Sequence, residues 1–324
     1  MRESDVLDAI LRDPPPVPPP TGAVGEVACV VEVGPGDDLA LLRLAGGELL
    51  MVGVDQLVDG VHVYAASTPW GVIGRKAVAR CVSDVAAMAG APLASVISVV
   101  LPADCSWENS EALRIGLGTA AAEFGAPLVG GDISMHCGSK ESTDGDGPLT
   151  IAVTVLAVPP SGGAVLRSGS QVGDRVFVSG ALGGAWRPDG TGHHLSFTPR
   201  VELGQALQAS LGAKLHAMMD ISDGLGKDAS RIGVASGVLV RLQAVDVPCR
   251  TPETSWTSAL SDGEDYELLF CVDGACDVPD MLQGVALTCV GVVEAVGDGS
   301  CGAQVCTPSG AVLDASQDGW DHGA

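Results

Sequence analysis

Short runs rich in Val, Leu and Ile, separated by glycine, fill the stretch from Glu26 to Val63: VACVVEV, LALLRL, ELLMVGV and VHVY. Runs of this length and composition between Gly turns read as consecutive strands. The period then changes. Ile73 to Ala89 carries its apolar positions at helical spacing and stops at Gly90 and Pro92, which predicts a helix leading into the strand LASVISVVL. Glu108 to Phe124 predicts a second helix, ended by Gly125. APLVGGD follows as a short buried strand, CGSKESTDGDG as a polar loop and LTIAVTVLAV as another strand. At the N-terminus, Ser4 to Arg12 is expected to form one short helix with Ser4 as N-cap, and PPPVPPP (14–20) is expected to be an extended spacer.

PPSGG (159–163) is the best domain boundary. Beyond it come the strand RVFVSG, a glycine-rich turn, the helix VELGQALQASL, the strand AMMDIS, the helix GKDASRIGVAS and further strands near 238–247, 267–272 and 285–293. Strands and helices are mixed in both halves, which predicts two α/β or α+β domains. The division is 1–20 for the helix and spacer, 21–158 for the first domain and 159–324 for the second.

Composition narrows the function. The 324 residues suffice for one large or two ordinary domains, and 46% are hydrophobic. The net charge of −23, from 17 basic and 40 acidic residues, argues against nucleic acid or an anionic membrane as partner. The ten cysteines show no C-x-x-C and no Cys/His cluster, so a zinc site is not expected. Without a signal-peptide stretch or a run of about eighteen apolar residues, the chain reads as cytoplasmic, with free thiols acting as small core residues.

Several acids stand where charge is costly. On the first helix Asp84 shares a face with Ala77, Cys81 and Met88. In GDDLALLRL, Asp38 is in phase with Ala40, Leu42 and Leu44 and is the inward candidate, whereas Asp37 serves the turn. Asp55 ends the apolar strand LLMVGV. Asp132 closes LVGGD, after two glycines that let a ligand approach the backbone. AMMDISDGLGKD places Asp220 in a strand, Ser222 and Asp223 at a strand-to-helix junction and Asp228 one turn on. Taken singly, each has a dull explanation: a turn, an N-cap, or a pair with Arg75 or Arg80. Together, with no matching set of buried Lys or Arg, they call for an external cation. Hard oxygen ligands select Mg²⁺ or a similar ion, which in turn favours phosphoryl transfer. The chain has no P-loop, no G-x-S-x-G elbow and no HRD or DFG; SGALGGA (179–185) is only a weak glycine motif.

The blocks GDDLALL, DQLVDGVH, GRKAVARCVSDVAAMAGAP, LVGGD, LRSGSQVGDRVFVSGALG, DISDGL and SDGEDYELLF occur in this order between Gly36 and Phe270. Together they resemble the thiamine-monophosphate kinase family, of the superfamily that includes aminoimidazole ribonucleotide synthetase. The resemblance implies a two-domain fold of that superfamily, forming a homodimer through its N-terminal strands, with ATP and several Mg²⁺ ions near the interface. It implies metal ligation by Asp38, Asp55, Asp84, Asp132, Asp220 and Asp223. It also implies ATP contacts from Gly131, Asp132, Arg167 and Ser222, and substrate contacts from His62 and Glu264. The implied reaction moves the γ-phosphoryl of ATP onto thiamine phosphate, with Asp84, Asp220 and Arg167 as its catalytic residues.

The sequence departs from the family pattern at several places. Gly53 and Val54 stand where two small hydroxyl residues usually precede the Asp matched by Asp55. Ile133, Ser134 and Met135 replace a hydroxyl pair and an Arg, and Asp262 replaces a Gly. The C-terminal aromatic of the substrate pocket is not aligned, although Trp320 is nearby. These departures leave open two alternatives: a related ATP-dependent enzyme with another small acceptor, and a non-catalytic nucleotide- or metal-binding dimer.

Overall fold

The computed structural model describes residues 29–137, 147–297, 299–316 and 319. The expected N-terminal helix, the Pro-rich spacer, most of the polar loop and Trp320 lie outside these residues. No described helix is long and apolar enough to cross a membrane.

The first sheet comprises β1 (Val30–Val33), β2 (Ala40–Arg43), β3 (Leu49–Val58), β4 (Ala91–Leu101), β5 (Leu128–Met135) and β6 (Thr150–Val158), in the order β1-β2-β3-β6-β4-β5. All its pairs are antiparallel except β4 with β5. Alternation is plain in β6, where Ile151, Val153, Val155 and Ala157 are buried and the residues between them are half-exposed. The buried face receives α1 (Trp70–Ala87) and α2 (Trp107–Glu123). Ser106 caps α2 by accepting from the Asn109 amide at 3.1 Å.

The second sheet holds β7 (Arg175–Ser179), β8 (Leu215–Asp220), β9 (Leu239–Gln243), β10 (Leu268–Val272), β11 (Met281–Leu282), β12 (Val285–Glu294), β13 (Gly302–Cys306) and β14 (Val312–Asp314). Its order is β14-β13-β9-β12-β7-β10-β8, with β11 on β12. Helices α3 (Val201–Leu211), α4 (Leu225–Ser236) and α5 (Trp256–Ser261) belong to this half.

Helix α1 is buried almost all round because it touches both halves: β6 and β3 on one side, β8 and α3 on the other. Its crossing with α2 is close enough that a Cβ on Gly116 would lie 2.2 Å from the Gly71 carbonyl oxygen.

Three expectations are corrected. VHVY is not a strand: β3 runs on to Val58, and residues 59–63 form a turn with a single Asp59–Val63 bridge. β5 is not buried; it is the sheet edge, and all eight of its residues are exposed. At β2 it is Leu41, with Leu39 just ahead of the strand, that faces the core, not the set in phase with Asp38. The Asp38 carboxylate is buried all the same, because it stands in the bend ahead of the strand.

Candidate metal and phosphoryl-transfer site

Three carboxylates converge from distant parts of the chain. Asp38 comes from the bend before β2, Asp84 from the last turn of α1 and Asp220 from the end of β8. One oxygen of each lies within 4.8 Å of the others. Arg167 Nη2 donates to Asp38 Oδ1 at 2.5 Å. Its backbone amide donates to Asp37 Oδ2 at 3.1 Å, and the Asp38 amide donates to Asp37 Oδ1 at 3.0 Å. Asp37 thus braces the turn and fixes Arg167 beside the cluster. Ser83 Oγ donates to Asp220 Oδ2 at 2.6 Å, tying α1 to β8.

Burial and the mutual repulsion of these acids show in their protonation. Asp84 is held well above the usual carboxylate range by burial and by Asp220, Asp55 and Asp38. Asp220 is pushed up to about 8 by burial, then by Asp38. The Asp38 Oδ2 atom is buried with no hydrogen-bond partner. An orphaned buried acceptor, three hard oxygen donors and one guanidinium suit a divalent cation of the Mg²⁺ type.

The remaining predicted residues fall into two other groups. His62, Asp55 and Glu264 belong to a second polar cluster with Lys76 and Arg80 of α1. Lys76 Nζ, fully buried, donates to the His62 carbonyl at 2.6 Å, meets His194 Nδ1 at 2.7 Å and ion-pairs with Glu264. His62 Nδ1 accepts from the Val58 amide at 3.0 Å. Arg80 binds Asp55 through two bonds, Nε to Oδ2 at 2.8 Å and Nη2 to Oδ1 at 3.2 Å, and its Nη1 lies 3.5 Å from Glu264. Burial alone would raise the Glu264 carboxyl, yet Lys76 and Arg80 hold it well below the usual range. Lys76 is lowered to about 8 because burial outweighs Glu264. Glu264 and Tyr266 both have positive φ, 70° and 52°, a conformation that side chains disfavour.

The others lie outside both clusters. Asp223 pairs with Arg231 at 2.5 Å and Lys227 at 3.4 Å. Asp228, in the first turn of α4, accepts from the Ser222 and Asp223 amides at 3.1 and 3.0 Å and pairs with Arg231 at 2.6 Å. The Ser222 carbonyl accepts from the Glu264 amide at 2.7 Å, which joins the junction after β8 to the second cluster. Gly131 and Asp132 are exposed on the edge strand β5. Asp132 shares its register with Ser98, on the sheet face away from α1. Gly131 is glycine for a local reason, since a Cβ would lie 2.2 Å from the Ile97 carbonyl oxygen of β4. The weak motif SGALGGA offers no open phosphate cradle at Gly183 or Gly184. Their amides donate to Asp265 and Asp262.

Residues 36–158 match the family described as AIR synthase related protein, N-terminal domain. The fold is similar to that of AaThiL complexed with AMPPCP and TMP: TM-score 0.71, 29% identity, 89% of this chain and 91% of that one. Over 281 residues the chain is 34% identical to the thiamine-monophosphate kinase of Rhodopirellula baltica, spanning 81% of this chain and 84% of that protein. The chain belongs to the thiamine-monophosphate kinase family. Its similarity to the Escherichia coli (strain K12) enzyme is of the same order, 32% over 300 residues, or 84% and 87% of the two chains.

In this member of the thiamine-monophosphate kinase family, sequence reasoning missed the buried cations. Lys76 and Arg80 are the matching Lys and Arg whose absence was expected. The signal was available: Lys76, Arg80 and Asp84 recur every four residues on a helix otherwise made of small apolar residues. His194 and Ser83 were missed as well. A lone His after a Gly-rich turn and a Ser beside an Asp give no such signal.

Proposed function

We propose that the chain transfers the γ-phosphoryl group of ATP to the phosphate of thiamine phosphate, giving ADP and thiamine diphosphate. The observation that carries this reading is the Asp38–Asp84–Asp220 cluster, with its orphaned Asp38 oxygen, in a chain whose relatives are thiamine-monophosphate kinases. AaThiL, a similar fold, is complexed with AMPPCP and TMP.

Asp38, Asp84 and Asp220 would hold Mg²⁺. When bound, the ion neutralises phosphate charge and polarises the transferred group. Arg167, oriented by Asp37 and Asp38, supplies a fixed positive charge beside the same phosphates. Its Nε is buried without a partner. An oxygen of the acceptor phosphate attacks the γ-phosphorus while the bond to the β–γ bridging oxygen breaks and ADP leaves. That oxygen is already anionic, so no general base is required. His62 and Glu264 orient the acceptor, and Ser222 contributes to ATP binding next to Glu264. Asp223 serves the same junction from its ion pair with Arg231. Gly131 and Asp132 act on the nucleotide from the exposed edge strand, where a second copy of the chain would enclose it.

The reading includes that homodimer. The open face and edge of the first sheet expose Val54 (63%), Val129 (65%) and Ile133 (70%), an apolar surface suited to a partner. Sedimentation at micromolar concentration checks it: a dimer is expected, and a monomer at all concentrations removes it. It also keeps 21–158 and 159–324 as the two halves, the first holding Asp38 and Asp84 and the second bringing Asp220 and Arg167 to the same site. The cytoplasm, where ATP is abundant and thiols stay reduced, is the compartment that fits an ATP-dependent enzyme with free cysteines.

The test is ADP release by purified protein with Mg²⁺·ATP, with and without thiamine phosphate. A rate dependent on thiamine phosphate is expected, and none above background overturns the reading. Asp84→Asn should lower the rate at least about 100-fold, as loss of an electrostatic transition-state contact does, with an unchanged circular dichroism spectrum.

A further inference from the structure

Asp55 stands on the inner face of β3, opposite Val153 of β6, and both of its carboxylate oxygens are taken by one guanidinium. The fork of Arg80 matches a carboxylate in a planar two-bond pair, the strongest form such a contact takes. The next residues offer no alternative donors. Gly53 and Val54 carry no side-chain oxygen, and Gln56 points to the other face of the strand. The two clusters are neighbours that differ in their charge balance. Lys76 and Arg80 face Asp55 and Glu264, two cations against two anions. In the other cluster Arg167 pairs with Asp38, and among the described residues Asp84 and Asp220 form no ion pair. A divalent ion brought to Asp55 meets a guanidinium already bonded to both oxygens and an ammonium paired with Glu264.

We propose that Arg80 takes the place of a metal ion at Asp55: its guanidinium is the built-in cation of this side of the site, so Asp55 ligates no metal and the protein's carboxylate-held ions are confined to the Asp38–Asp84–Asp220 cluster. Arg80 is then a positioning residue, bridging Asp55 of the first sheet to Glu264 of the second half. The inference rests on reading the three-aspartate cluster as the metal site, and its test separates the two.

The measurement is the number of Mn²⁺ ions bound per chain, by equilibrium dialysis of the full chain with saturating AMPPCP. Asp84→Asn examines the cluster: an unchanged count removes that reading, whatever happens at Asp55. Asp55→Asn examines the proposal: the same count as the unmodified chain is expected, and one ion fewer overturns it. Arg80→Gln leaves the Asp55 carboxylate without its cation, and the expected count rises by one. The rise should disappear when Asp55→Asn is added. No rise, in a variant with a native circular dichroism spectrum, also overturns the proposal. If Asp55→Asn does not fold, the paired Arg80→Met/Asp55→Leu variant removes both charges together and gives the same reading. A structural role for the pair alone would leave the Arg80→Gln count unchanged.

Discussion

Lys76 has no solvent exposure, yet its ammonium touches three segments that the sequence keeps far apart: the turn after β3, the turn carrying His194, and the loop before β10 that carries Glu264. The same ammonium stands over the Trp186 ring, with Nζ 5.0 Å from its centre. Lys76→Met keeps much of the volume and removes the charge, leaving Glu264 with Arg80 as its permanent cation, beside Tyr266 and His194, and in a backbone conformation it does not favour. Loss of a buried charged contact costs about 1.5–3 kcal/mol. The KM for thiamine phosphate should therefore rise roughly 10- to 100-fold, while the KM for ATP stays within a factor of two. An equal rise in both would make Lys76 a general structural residue. At this scale the acids were legible and their partners were not. An Asp inside VSDVAAM or MMDIS advertises its cost of burial. A Lys or Arg on a helix reads as solvated, because its long stem usually carries the charge to water.

Helix α1 meets two conflicting demands: three charged residues on the face toward the site, and close packing everywhere else. Small residues reconcile them. At the crossing with α2, Gly74 meets backbone atoms of Leu113 and Leu117, and Gly116 meets Gly71. Gly116→Ala should therefore destabilise the protein by about 1–3 kcal/mol, the usual cost of overpacking. Gly118→Ala, on the same helix with nothing within 4 Å of its Cβ, should be neutral or stabilising by up to about 1 kcal/mol. Urea unfolding of the two variants checks the contrast; equal effects would mean that the close crossing is not what constrains Gly116. Both long helices were legible from period and stops, to within three residues at the start of α1. The edge position of β5 was not, because LVGGD reads the same whether a neighbour covers it or not. Nor was the turn at 59–63, where the apolar Val61 and Val63 belong to no ladder.

At the scale of the whole molecule, the cluster was foreseeable as a list of acids but not as a trio. Asp38, Asp84 and Asp220 meet through a topology that spacing does not encode, while Asp132 lies on the opposite sheet face. Their closeness makes stability depend on pH. Asp84 and Asp220 have native values above the ordinary 3.8, Asp220 at about 8. Between about pH 4 and pH 8 the native, metal-free chain therefore retains protons that the unfolded chain has released. Stability falls as pH rises through that window. Metal-free protein should melt at a lower temperature at pH 8.5 than at pH 5.5. Mg²⁺ should raise the melting temperature more at pH 8.5, where it does not compete with protons; at ten times its Kd it contributes about 1.4 kcal/mol. Calorimetry at the two pH values decides it, and a larger Mg²⁺ effect at pH 5.5 would contradict the assignment.

The same trio has a consequence in time. A chain emerging from the ribosome presents its N-terminal half first, and domains tend to fold as they appear. That half already contains Asp38 and Asp84, placed by its own sheet and by α1. Asp220 is more than a hundred residues behind and must be delivered by β8 of the second sheet. A nascent chain can therefore complete its first layer without assembling the centre. On the proposed role of the trio, phosphoryl transfer would wait until β8 has been made, with no separate regulator needed to keep a half-made chain silent.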